Sequence, residues 1–119
     1  MANPNIVNVA TINGKVAGQA VGTSMTNIVN NAASSGKIFK INSLIVANID
    51  GVNNANVSAD VVIEGTSFAI AHTVVVPADA SIVLISKETS VYLTENCQIQ
   101  LQANATSDLE AVCSYEEIS

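Results

Sequence analysis

The chain has 119 residues, which is enough for one domain with its own hydrophobic core. Hydrophobic residues make up 49% of it but aromatic residues only 3%, so the core has to consist of Val, Ile, Leu and Ala, a composition that favours strands. Ten acidic residues against four basic ones give a net charge of −6, and Lys37 with Lys40 is the densest basic cluster, which argues against a nucleic-acid partner.

The N-terminus lacks the basic start and continuous apolar stretch of a secretory signal, and no run approaches the ~18 apolar residues of a membrane helix. We therefore expect a protein made in the cytoplasm, with no membrane partner. In that reducing compartment Cys97 and Cys113 should remain thiols and pack as small apolar groups.

Residues 1–36 differ from the rest of the chain and are treated as a separate N-terminal unit. Asn13 and Gly14 form a two-residue turn signal, whereas Gly18 and Gly22 weaken the strand that would follow. Two interpretations stay open: an ordinary edge hairpin, or an arm that leaves the domain for attachment or subunit exchange.

The second unit, residues 37–119, reads as a succession of strands. Residues 37–49 contain no Gly or Pro, which predicts a central strand. Residues 57–63 and 68–76 flank Gly65 and predict a hairpin. Residues 81–86 are apolar on both faces, so this strand should be covered on both sides, by a neighbouring sheet or a partner chain. A short strand around Tyr92 follows.

Alternation is clearest near the C-terminus, where Cys97, Ile99, Leu101 and Ala103 alternate with three glutamines. Residues 109–116 repeat the pattern less cleanly, so the two runs predict a second hairpin with both cysteines facing the core. Turn signals recur every 8 to 12 residues and no segment shows a helical period. The sequence therefore predicts an all-β, antiparallel β-sandwich or jelly roll of about seven or eight strands, with little or no helix.

The sequence predicts no enzyme, no catalytic residue and no cofactor. In a regular strand His72 would lie on the same face as Phe68, Ile70 and Val74, so we expect a hydrogen-bonded core histidine. Serine hydrolase chemistry is not expected either, because the segments Gly22-Thr23-Ser24 and Gly65-Thr66-Ser67 are not followed by the second glycine of a nucleophile elbow.

Metal binding is also unexpected, because Cys97, Cys113 and His72 match no common zinc spacing. The loop Asp50–Asn56 has oxygen donors suited to calcium, but Val52 stands where an EF-hand loop needs a ligand, so we interpret the loop as a β-turn.

Four stretches of this sequence, 37–51, 76–84, 91–95 and 109–118, together resemble small virion structural proteins of tailed bacteriophages. The resemblance covers about residues 36–119 and carries no catalytic signature. It implies a compact β-sandwich without enzymatic activity, located in the virion and bound to a major capsid, neck or tail protein. It also implies a homo-oligomer, with a trimer as one option.

A capsid decoration or cement protein is the leading hypothesis, and a neck, tail or fibre subunit is the alternative within the same class. A carbohydrate-binding β-sandwich is a further alternative from another class. Sugar sites usually place aromatic rings against the pyranose face, and here only Tyr92 and Tyr115 could serve.

Overall fold

A computed structural model describes residues 10–119, which form strands and a single 3₁₀ turn. The elements in chain order are β1 (Ile12–Val21), β2 (Thr26–Asn31), β3 (Ile38–Asn48), β4 (Ala55–Ile63), β5 (Thr66–Val76), β6 (Ser81–Ile85), the 3₁₀ turn (Lys87–Thr89), β7 (Val91–Leu93), β8 (Cys97–Ala103) and β9 (Leu109–Ile118).

The strands build two antiparallel sheets. The five-stranded sheet has the order β1-β9-β3-β6. The short β7 is its fifth strand and pairs with the same edge of β3 as β6 does, at a different part of that edge. The four-stranded sheet has the order β2-β8-β4-β5. The fold is therefore a β-sandwich, as the alternation predicts, with nine strands in the described residues rather than seven or eight.

The core lies between the two sheets and is aliphatic. Strand β8 and the first half of β9 contribute alternate residues to it, and the largest fully buried side chains include Ile41, Leu44, Ile99, Leu101 and Leu109. Burying each of these side chains stabilises the fold by roughly 1.5–3 kcal/mol relative to exposure. Phe39 is the one aromatic side chain among the buried core residues of 10–119, and the half-buried Tyr115 packs against it, with ring centroids 5.3 Å apart.

Two predicted elements are confirmed. Strand β3 is central, because it pairs with β9 on one side and with β6 and β7 on the other. Strands β4 and β5 form the predicted hairpin, joined by Glu64 and Gly65. Both turn residues have positive φ, 49° and 90°, as expected for a two-residue loop whose twist matches that of the strands.

Two predicted pairings are wrong. Strands β8 and β9 do not form a hairpin: β8 lies in the four-stranded sheet and β9 in the five-stranded sheet, so the loop between them crosses from one sheet to the other. Asn13 and Gly14 form no turn, because both lie within β1 and pair with Glu117 and Glu116.

Strands β1 and β2 occupy one edge of each sheet. Strand β1 pairs with β9 and β2 pairs with β8 of the same chain. Residues 1–9, which carry several of the apolar positions of the predicted N-terminal unit, lie outside the described residues. The role of residues 1–36 in attachment or subunit exchange stays a prediction.

Candidate docking surfaces

The outer face of the five-stranded sheet carries a row of apolar side chains that the core does not use. Val112 pairs with Ile45, Ile45 pairs with Val83, and Gly18 of β1 continues the row beside Val112. Val112 is 47% exposed, Ile45 38% and Val83 61%. Val16, two residues before Gly18, adds a further exposed valine. We call Val16, Ile45, Val83 and Val112 the apolar band.

The outer face of the four-stranded sheet is different, because it is covered with side-chain amides. Gln98, Gln100 and Gln102 of β8 point outward while the alternate residues of that strand are buried. Asn30 pairs with Gln98 and Asn27 with Gln100, so the amides continue onto β2. We call this set the amide face. The predicted alternation of β8 is confirmed.

The free edge of β5 is a third candidate surface. Strand β5 pairs with β4 on one side and, within residues 10–119, with no strand on the other. It is 11 residues long, and Phe68 and Val75 are 52% and 50% exposed. Long apolar edge strands are templates for pairing with another chain unless charges, prolines or β-bulges interrupt them. Two bulges interrupt β5, so its longest regular segment is residues 66–69, which contains Phe68. No Lys, Asp, Glu or Pro occurs within β5.

The prediction for His72 is wrong, since this residue is exposed and does not lie in the core. The pairing of β4 with β5 shifts register between Val57 and Ala59 and again between Ala59 and Asp60. Both shifts are extra residues on β5. Thr73, in the first of them, adopts φ 47°, and its N–H donates to Ser58 Oγ at 2.9 Å. As a result Ala71, rather than His72, is the buried residue of this segment.

The prediction that both cysteines face the core is confirmed. Cys97 and Cys113 are buried free thiols, one in each sheet. Burial raises the pKa of Cys113 to about 12, so this thiol stays protonated at neutral pH. A protonated, buried thiol is a poor nucleophile and a poor metal ligand.

The Asp50–Asn56 loop uses its oxygens for internal hydrogen bonds. Asp50 Oδ1 accepts from the backbone N–H groups of Val52 at 2.8 Å and Asn53 at 3.3 Å, and Asn54 Oδ1 accepts from Ala78 N–H at 3.1 Å. The hydrogen bond from Val52 is the main reason that the pKa of Asp50 is lowered. This arrangement is that of an Asx-type turn, in agreement with the β-turn interpretation.

The described residues contain no group of three or more His, Cys, Asp or Glu side chains arranged to hold a metal ion. The predicted sugar-stacking residues are also separated: Tyr115 is half-buried against Phe39, and Tyr92 lies exposed on β7, opposite Lys40. Among residues 10–119 there is no helix long and apolar enough to span a membrane.

No family model and no curated protein matches this chain. Among solved structures, a chain from Bacillus endospore appendages, which form a family of disulfide-linked pili, matches with a TM-score of 0.56 and 13% identity, covering 100% of this chain and 96% of that one. At this identity the match shows a shared fold alone.

Two weaker structural matches carry no further argument. A chain of the infectious bursal disease virus Gx strain matches with a TM-score of 0.46 and 13% identity, over 91% of this chain and 32% of that one. A Clostridium thermocellum xylanase structure with a carbohydrate-binding module, complexed with xylohexaose, matches with a TM-score of 0.35 and 16% identity, over 87% and 26% of the two chains.

The sequence indicated only part of the apolar band. Residues 81–86 were predicted to be covered on both sides, and Val83 of that strand is 61% exposed on the outer face, without a cover among residues 10–119. A second signal, in β9, was missed. In residues 109–116 the outward positions are Glu110, Val112, Ser114 and Glu116, and Val112 is the irregular member. A single outward valine is common on sheet surfaces. Its significance depends on Ile45 and Val83, which lie beside it only because β9, β3 and β6 are neighbours.

Proposed function

We propose that this protein is a non-enzymatic structural subunit that associates with protein partners in an assembly. The observation that carries the proposal is the free edge of β5, with exposed Phe68 and Val75 and no charged residue in the strand. An added strand would satisfy the open backbone groups of this edge and cover both side chains. The composition supports the same role, because only 12% of the residues are charged, and interface cores are depleted of charge.

The specific form that we propose is a capsid decoration or cement protein of a tailed phage, made in the host cytoplasm and bound in the virion. The resemblance of residues 36–119 to virion structural proteins supports this form. A neck, tail or fibre subunit is the alternative. The fold shared with a pilus-like endospore appendage supports the broader class, since it shows that the same sandwich serves in a repetitive protein assembly.

Association of the purified chain tests the role of the β5 edge. Light scattering coupled to size-exclusion chromatography, with negative-stain microscopy, should show concentration-dependent assembly of the wild type. The double variant Phe68→Lys/Val75→Lys places two charges on the edge and should reduce assembly, because lysines on an edge strand oppose pairing. Both positions are about half exposed, so the circular dichroism and melting temperature should change little.

Gln98→Lys provides the matched control, since it adds a lysine to the outer face of the central strand β8, away from the β5 edge. It should assemble as the wild type does. Equal assembly of the wild type and the double variant would show that the β5 edge is not a docking surface. The virion role has its own test: quantitative mass spectrometry of particles should find many copies for a decoration protein and few for a neck or tail part.

A further inference from the structure

We propose that two copies of this chain pack face to face through the apolar band. This dimer deepens the proposed function, because it makes a second copy of the chain one of the partners. It rests on the proposed function only in that both treat the chain as a subunit of an assembly. Its physical basis is independent of the β5 edge, because the band lies on the other sheet.

The apolar band forms a continuous surface without charge. The row Gly18, Val112, Ile45 and Val83 crosses four strands, and the next row contributes Val16, Ser114 and Ser43. Neither row contains an ionisable side chain. Interfaces have this arrangement, with a core depleted of charge and a polar rim.

The surface also has relief that suits close packing. Val16 is 70% exposed and protrudes from β1. Beside it, Gly18 and Ala20 of β1 and Glu110 and Val112 of β9 line a shallow depression, because the two β1 residues have little or no side chain. A protruding valine of one copy and a depression of the other are complementary shapes.

The amide face explains why the partner would use the same surface. If the apolar band packed on the amide face of another copy, the side-chain amides of Gln98, Gln100 and Asn30 would lose water without gaining partners, at a cost in free energy. Packing band against band avoids this cost. It also generates a closed two-fold dimer, which needs only one self-complementary surface.

Charges at the two ends of the band support a two-fold arrangement. Glu110 flanks the valine row at one end, and Lys40 lies beyond the second row at the other. Neither forms an ion pair within residues 10–119. Glu116, the cross-strand neighbour of Lys40, instead accepts a hydrogen bond from Asn42. An antiparallel two-fold brings Lys40 of each copy towards Glu110 of the other. Glu116 approaches Glu110 in the same arrangement, so the Lys40 ammonium lies near a carboxylate of each copy and offsets their repulsion.

The size of the face indicates which class of interface it can form. Three strands of at least 10 residues and the 5-residue β6, about 4.8 Å apart and with about 3.4 Å per residue, give a face of roughly 570 Å² per copy. Stable interfaces bury about 800 Å² per partner, so this face has the size of a weak, transient interface. We therefore expect a weak, reversible dimer that forms at protein concentrations up to the millimolar range.

Sedimentation equilibrium of the full chain over a wide concentration range tests the dimer. Val83→Asp and Val112→Asp place a carboxylate inside the band, and each should raise the dissociation constant at least about tenfold, since burying an unpaired charge is costly. Gln100→Asp, on the amide face, is the matched control and should leave the dissociation constant unchanged. A monomeric wild type at millimolar concentration, or Asp variants that dimerise normally, would overturn the proposal.

Reversal of the end charges identifies the occupant as a second copy. Lys40→Glu and Glu110→Lys should each weaken the dimer about fivefold, and the double variant Lys40→Glu/Glu110→Lys should restore it, because the pairs re-form with exchanged signs. Additive weakening in the double variant would contradict the two-fold arrangement.

The outcomes also separate this inference from the proposed function. If Val83→Asp leaves assembly intact while Phe68→Lys/Val75→Lys abolishes it, the β5 edge is the docking surface and the apolar band is not. If the Asp variants abolish dimerisation while the β5 variant has no effect, the band is an interface and the role of the β5 edge is wrong.

Discussion

The side-chain amide of Asn48 donates a hydrogen bond to the backbone carbonyl of Val76 across 3.0 Å, which joins the end of β3 in one sheet to the end of β5 in the other. The same amide donates to Asn53 O at 2.9 Å, and Asn48 Oδ1 accepts from the N–H of Asp50 at 2.9 Å. Asn48 is buried. One side chain therefore holds a loop and two strand ends together.

Asn48→Ala should lower the free energy of unfolding by about 2–4 kcal/mol, because it leaves buried backbone groups without partners and opens a small cavity. Urea denaturation monitored by circular dichroism measures the change. Asn30→Ala is the control: this residue is an exposed asparagine of β2 and should change stability by less than about 0.5 kcal/mol. Equal effects of the two substitutions would mean that the Asn48 network contributes nothing.

His72→Gln should leave stability within about 0.5 kcal/mol of the wild type, as expected for an exposed position. This outcome is the opposite of that expected for a core histidine, which would lose a buried hydrogen bond. Thermal unfolding at pH 7.5 provides the measurement. A loss of more than about 2 kcal/mol would place the imidazole in a buried environment after all.

Alkylation should modify Cys97 and Cys113 slowly in the native protein and completely in denaturant. Both thiols are buried, and the raised pKa of Cys113, about 12, keeps its reactive thiolate scarce even at pH 8.5. Mass spectrometry after timed treatment with iodoacetamide counts the modified sites. Rapid labelling of the native protein would indicate that the core opens readily.

Acid should destabilise the protein partly through Glu117. This carboxylate accepts a hydrogen bond from Lys37 at 3.0 Å and forms a second ion pair with Lys15 at 3.1 Å, and its contact with Lys37 is the main cause of its lowered pKa. A group whose folded pKa is lowered stabilises the fold above its unfolded pKa, near 4.5, and loses this contribution as the pH falls through the folded pKa.

Glu117→Gln should therefore reduce the pH dependence of stability below about pH 4.5 and cost no more than about 1 kcal/mol at pH 7, since both lysines are partly exposed to solvent. Denaturant titrations from pH 3 to 7 compare the two proteins. Some pH dependence of the unfolding free energy should remain in the variant, because Asp50 also has a lowered pKa. Parallel curves for the variant and the wild type would exclude Glu117 as a contributor.

Glu64→Asn should stabilise the fold by about 0.5 kcal/mol. Glu64 adopts φ 49° in the β4–β5 turn, and asparagine tolerates this conformation better than glutamate does, so Asn-Gly suits the turn. The melting temperature reports the gain. Gly65→Ala, with φ 90° at that position, is the opposing control and should destabilise the hairpin.

Local pattern predicted the strands well but their partners poorly. The alternation in β8 fixes which side chains are buried whichever strand lies beside it, so Cys97 and Ile99 were placed correctly. Pairing depends on contacts distant in sequence, which explains why β8 and β9 were wrongly joined. The prediction for His72 failed for a different reason. Each bulge in β5 changes the face that the following residues occupy, and the sequence carries no sign of these bulges.

The position of β9 constrains when the five-stranded sheet can form. Strand β9 lies between β1 and β3. These two strands are synthesised early, but they cannot be joined into one sheet until residues 109–118 have left the ribosome. Pairing over such sequence separations is slow, typically milliseconds to seconds. Until β9 has been synthesised, the nascent chain therefore exposes the edges of β1 and β3 that β9 later pairs with. Exposed strand edges of this kind favour aggregation, so chaperone binding should matter most while the chain is still on the ribosome.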